Sequence, residues 1–171
     1  MLFRDEVGLI HVATSQNATG QFIQTQTLKE VIANKKSVRQ SEFYQALASN
    51  LRPELMFEVR YEEYTGQKRL GHKAKTATAG AGTTTTIIKL TAHGLKVGDV
   101  ILNTTVLTSG MPTQRQVATV VDANTITVTA ITGMAQNNVI KWYRKNYEII
   151  RTHSKNEEMI ELICQEIVLG G

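Results

Sequence analysis

The sequence predicts a mainly β protein: a small antiparallel β-barrel with one short helix, carrying an inserted small β-module. Three observations lead there. Val, Ile and Thr recur in short alternating runs, the period-two signature of half-buried strands. Helical periodicity is confined to one stretch around Phe43. A strand-rich pattern through PELMFEVRYEEYTGQKRLG stops near Gly71, gives way to a Thr-rich stretch, and resumes at NYEIIRTHSKNEEMIELICQEI. That interruption divides the chain into a discontinuous β-barrel domain, residues 1–71 and 144–171, and an inserted β-domain, residues 72–143.

In chain order, Arg4 to Thr14 reads as a first strand with Val7, Leu9 and His11 on one side of the pleat, and SQNATG (15–20) as a turn. Phe22–Thr27 and Lys29–Asn34 read as two further short strands. Ser41–Ser49 is the helix, with Phe43, Ala46 and Leu47 at helical spacing. Ser37 or Ser41 is placed to cap it, Ser37 and Gln40 fit the capping-box spacing, and Asn50 and Pro53 stop it. Only two or three turns long, such a helix needs something to pack on. From Glu54 to Tyr64, Leu55, Phe57, Val59 and Tyr61 alternate with Glu54, Met56, Glu58, Arg60 and Glu62, one face buried and one wetter. Thr65-Gly66 is a hairpin turn and Gln67–Leu70 starts the return strand. After the interruption, Tyr147–Thr152 alternates again, Asn156 marks a turn, and Met159–Val168 is the last strand.

The insert opens with TATAGAGTTTT, by composition a flexible linker. His93-Gly94 and Gly98-Asp99 signal turns. Val117–Val121 and Ile126, Val128 and Ala130 form a hairpin about Asp122–Asn124, with Thr125, Thr127 and Thr129 as its polar face. Asn138–Tyr143 closes a five-stranded module.

Composition narrows the function classes. No apolar run approaches the roughly 20 residues that span a bilayer, and MLFRDEVGLIHVA lacks the pattern of a signal peptide, so a cytoplasmic origin and no membrane partner are expected. Cys164, the only cysteine, lies in an apolar run that points to a buried inert thiol. The four histidines are far apart without metal-ligand spacing, and Gly80 and Gly82 precede no phosphate-loop helix. No catalytic constellation, metal site or cofactor is expected. The net charge is +4, and Lys73 to Lys141 alone holds six Lys or Arg against two Asp, so the outer halves sum to zero. A uniformly basic nucleic-acid-binding domain is excluded for them. The most basic short run is Lys35, Lys36 and Arg39. Two readings stand: a solvated connection, or a loop that meets phosphates without reading bases.

ANKKSVRQSEFYQA (33–46), RPELMFEVRYEEY and the later YEIIRTHSKNEEMIEL resemble the head-closure, or stopper, proteins of long-tailed bacteriophages, across nearly all of residues 1–71 and 144–171. The resemblance implies a small β-barrel working as a virion structural protein and not as an enzyme. It implies a homo-oligomeric ring, commonly a dodecamer, at the head–tail interface. Its partners would be the portal adaptor above, a tail-completion or tail-tube protein below, and packaged double-stranded DNA in the channel. The protein would be made in the host cytoplasm and end in the virion neck. In this family the segment matching Asn34–Pro53 supplies a loop toward the channel, which would put Lys35, Lys36 and Arg39 near the lumen. The insert departs from the family pattern. It resembles small β-modules of phage virion proteins, which leaves decoration or host adhesion as the alternative function.

Overall fold

The computed structural model describes residues 4–167, and the chain divides into two compact units. Among the described residues the first comprises 4–12, Leu28–Lys73 and 145–167; the second comprises Ala13–Thr27 and Ala74–Arg144.

The first unit draws on strands Asp5–Gln16 (β1), Phe22–Lys36 (β2), Leu55–Arg60 (β3), Arg69–Thr78 (β4), Val139–Ser154 (β9) and Met159–Glu166 (β10), with one helix, Gln40–Ala48 (α1). Neighbouring strands run in the order β10-β3-β2-β1-β4-β9, and β10 pairs with β9 as well. The architecture is mainly β and antiparallel, as the sequence predicts, but it is not a clean barrel. The β9–β10 register shifts between Ile163 and Cys164. Inward positions follow the period of two: Val7 and Leu9, Val31 and Ala33, Phe57 and Val59, Tyr147 and Ile149, and Ile160, Leu162 and Cys164 form one buried cluster with Leu70. Each fully buried large apolar side chain there contributes roughly 1.5–3 kcal/mol.

Several local expectations are corrected. Phe22 to Lys36 is one strand, not two, because neither Gly nor Pro interrupts it and Leu28 is buried at the supposed break. The strand expected to reach Tyr64 ends at Arg60 and passes into a single 3-10 turn, Tyr61–Glu63. The return strand continues to Thr78, and the two strands expected around residue 144 are one. No capping box forms: Arg39 is the N-cap and no side chain caps the helix. Asn50, with φ 58°, ends it in the left-handed conformation that Asn tolerates. Val168, assigned by sequence to the last strand, lies outside the described residues.

The second unit adds Ile87–Lys89 (β5), Val100–Thr108 (β6), Met111–Asp122 (β7) and Thr125–Val128 (β8), in the order β9-β6-β7-β8-β5. Ile88, Leu90, Ile101, Val117, Ile126, Ile131, Ile140 and Trp142 form its core with four smaller or adjacent residues. The Gly/Ala/Thr stretch is not a free linker. Ala79 is buried, its N–H donates to the Asn138 carbonyl, and the Gly80 and Thr84 N–H groups donate to the Lys89 and Ile87 carbonyls. Thr125 is buried and accepts from Lys89 Nζ at 2.9 Å, so the polar face of that hairpin is wet only in part. The tip of the β1–β2 hairpin, Ala13–Thr27, belongs to this unit and not to the first. At Ala92–Leu95, His93 is buried; its Nδ1 accepts from the Leu95 N–H at 2.9 Å, so its Nε2 carries the proton and donates to the Asp122 carbonyl at 3.0 Å.

Candidate functional site: cations around two buried glutamates

The residues singled out by sequence do not share one environment. Lys35 and Lys36 are the last residues of β2, opposite Phe57 and Met56 of β3, and not part of a loop. Their side chains leave opposite faces of the strand. The Lys35 backbone N–H donates to Asp5 Oδ2 at 3.3 Å. Its charge also acts on His72, whose pKa burial lowers most, with Lys35 adding to the effect and Asp5 opposing it.

Lys36 and Arg39 meet on the other face over two carboxylates, of which the sequence pattern assigns Glu58 to the wetter face and singles out nothing at Glu161. Glu58 and Glu161 face each other directly across β3 and β10, and their side chains are 0% and 2% exposed. Like charges directly opposite on a sheet destabilise it, and an unpaired buried carboxylate costs several kcal/mol. Cations resolve both problems. Lys36 Nζ lies 2.6 Å from Glu58 Oε1 and 3.5 Å from Glu161 Oε1, Lys155 Nζ lies 2.9 Å from Glu58 Oε1, and Asn34 Nδ2 donates to Glu58 Oε2 at 3.4 Å. Arg39 Nη2 reaches both oxygens of Glu161, at 3.0 and 3.1 Å, with His153 Nδ1 at 3.7 Å. Asn34, Glu58, Glu161 and His153 thus form one row of directly opposed residues across β2, β3, β10 and β9.

Helix α1 is fastened to this same face. Arg39 precedes its first turn, and Arg151 Nη1 on β9 donates to Glu42 at 3.2 Å and Gln45 at 3.0 Å. Ala46, Met56 and Ile163 are all buried outside the inner cluster, so the outer face is covered here. Met56 and Ile163, apolar residues two positions from Glu58 and Glu161, are the sequence signal that this face is not wet.

Glu58 holds charge and offers little acid–base chemistry near neutral pH. Burial by itself pushes the Glu58 carboxyl up, but hydrogen bonds from Lys36, Lys155 and Asn34 outweigh it and hold the pKa at about 2, far from a useful general base. Burial pushes the Cys164 thiol up to about 12, which keeps it protonated and inert. Among the described residues no group of three or more His, Cys, Asp or Glu is placed to hold a metal ion, and no helix is long and apolar enough to cross a membrane.

Two other surfaces bear on binding. In the second unit, a groove runs past Gly80, Lys89, Thr91, Asp122, Asn124 and Thr125. Its polar groups are largely occupied internally: Lys89 on Thr125, Asn124 Oδ1 on the Ala92 N–H, Asp122 Oδ1 on the Asn124 N–H. In the first unit, an open groove lies where β2 ends against α1 and the start of β3, lined by Lys35, Lys36, Val38, Phe43, Pro53 and Leu55 together with Ser37 and Glu54.

A comparison with protein-family models found no match for this chain, and one with curated proteins found no significant relative.

Proposed function

We propose that the chain is a structural, non-enzymatic protein of the head–tail interface of a long-tailed bacteriophage. It would form a homo-oligomeric ring, a dodecamer in the family it resembles, that extends and gates the DNA channel, retains packaged double-stranded DNA and offers a platform for tail attachment. An adaptor on the portal would bind above and a tail-completion or tail-tube protein below. The finished ring would sit in the virion neck after synthesis in the host cytoplasm.

One observation supports this reading most. The strings that carry the resemblance, 33–46, 52–64 and 147–162, lie in one compact β unit around one core, while residues 13–27 of the resembling range lie in the other unit. Lys36 and Arg39 enter with less weight than their place in a basic run suggests, because each is held by a buried carboxylate. Any contact of this segment with channel DNA draws on Lys35 and on the solvent-facing sides of the other two.

Electron microscopy of particles made without this protein tests the reading. Full heads that leak DNA, beside separate unattached tails, are expected; intact tailed particles would refute it. The alternative, decoration or host adhesion through the second unit, is favoured by its exposed Phe22, Val97, Met111 and Val121. Replacing residues 74–144 by a short turn, with the β1–β2 hairpin shortened to remove 13–27, would then leave assembly intact and alter adsorption.

A further inference from the structure

We propose that the groove between the end of β2, the start of α1 and the start of β3 is a docking site for an acidic, amphipathic peptide segment of a partner protein. The proposal rests on the head–tail reading, to which it adds a place and a chemistry for tail or adaptor attachment.

The groove holds about 530 Å³, within the size range of small-ligand pockets. Val38, Phe43, Pro53 and Leu55 supply apolar lining, and Lys35 and Lys36 supply its cations. The apolar surface continues along α1. Phe43 is 40% exposed, Tyr44 60% and Leu47 43%, with the Phe43 and Tyr44 rings edge to face at 5.9 Å between centroids. On a nine-residue helix whose Ala46 is buried and whose Glu42 and Gln45 are tied to Arg151, three large apolar side chains on the remaining surface make a patch of the kind that marks interaction sites.

Charge decides what fits. Lys35 and Lys36 are the two cations lining the groove and Glu54 is the one acid; Arg39 follows them in the chain and lies outside the lining. Glu58 and Glu161 anchor Lys36 and Arg39, so much of the ordering of these long side chains is complete before a partner arrives. Arg39 keeps 52% of its side chain exposed. A phosphate backbone would use the cations and leave the apolar lining bare. A segment that alternates carboxylates with large apolar side chains uses both, in the manner of a helix or strand laid in a groove.

The test is selection of random 12-residue peptides on the full-length protein, followed by fluorescence anisotropy of the enriched peptides and, separately, of a random 30-base-pair duplex. Enriched peptides are expected to pair Asp or Glu with Leu, Phe or Trp. Lys35→Glu and Phe43→Ser, both at exposed positions, should each weaken their binding at least about tenfold, with unchanged circular dichroism. Peptides lacking acidic residues, no enrichment at all, or enriched peptides indifferent to both substitutions would overturn the proposal. Duplex binding that Lys35→Glu abolishes and Phe43→Ser spares would assign the cluster to DNA instead. None of these outcomes decides the head–tail reading, which is judged on particles.

Discussion

Glu58 should make the protein's stability depend steeply on acid, and the size of the effect follows from the geometry around it. Its pKa falls from an ordinary 4.5 to about 2 in the folded state. At 1.36 kcal/mol per unit, the difference of about 2.5 units corresponds to roughly 3 kcal/mol. The folded value is the lower one, so this stability is present in full above pH 4.5 and is lost as pH falls from 4.5 towards 2. Glu58→Gln should abolish that part of the acid sensitivity. Its cost at neutral pH should be about 3 kcal/mol, because Gln stands in for the protonated carboxyl and forfeits at pH 7 what the wild type loses only in acid. Lys36→Met combined with Lys155→Met should also be costly, about 3–5 kcal/mol, because it strands a buried carboxylate. Urea unfolding followed by far-ultraviolet circular dichroism between pH 2 and 7 measures both. An unchanged acid limb in Glu58→Gln, or wild-type stability of that variant at pH 7, would refute the account.

Three further outcomes follow from local geometry. Ser109 and Gly110 form the two-residue loop between β6 and β7, with φ 53° and 79°. Ser109→Asn should therefore raise stability by about 0.5–1 kcal/mol, seen as a higher melting temperature. His93→Ala removes both the acceptor for the Leu95 N–H and the donor to the Asp122 carbonyl; a loss of about 2–3 kcal/mol is expected, read by fluorescence of the single tryptophan, Trp142, in the core of the same unit. Cys164, fully buried with its thiol pushed up to about 12, should stay unmodified by iodoacetamide in native protein at pH 8 and react at the rate of a free thiol in urea.

Local pattern foretold the inward face of the first unit and little of the outer one. Phe57, Val59, Leu162 and Cys164 fall inside because alternation is a property of neighbouring residues. Alternation assigns Glu58 and Glu161 to the opposite face, also correctly, but it says nothing about whether that face is covered. Helix α1 and the side chains of Lys36, Arg39 and Lys155 cover it, and the Arg39–Glu161 contact joins residues 122 positions apart. The same limit explains the linker. Gly, Ala and Thr lack large side chains to reveal a fixed conformation, and the order of 79–84 comes from backbone hydrogen bonds to Lys89, Ile87 and Asn138. Of the candidate cluster, the sequence supplied Lys35, Lys36 and Arg39. The acids that hold two of them, and Lys155 and His153 from the turn region of β9 and β10, emerge only on folding.

The row from Asn34 to His153 also constrains how this chain can change over generations. Losing either carboxylate leaves cations facing each other, and losing a cation strands a buried acid at a cost comparable to much of a small domain's stability. Exchanging the whole set for well-packed apolar residues can be nearly neutral. The intermediate steps are the obstacle, so positions 36, 39, 58, 155 and 161 are expected to be inherited as a block. Drift at these five sites should be rare singly and, where it occurs, coordinated.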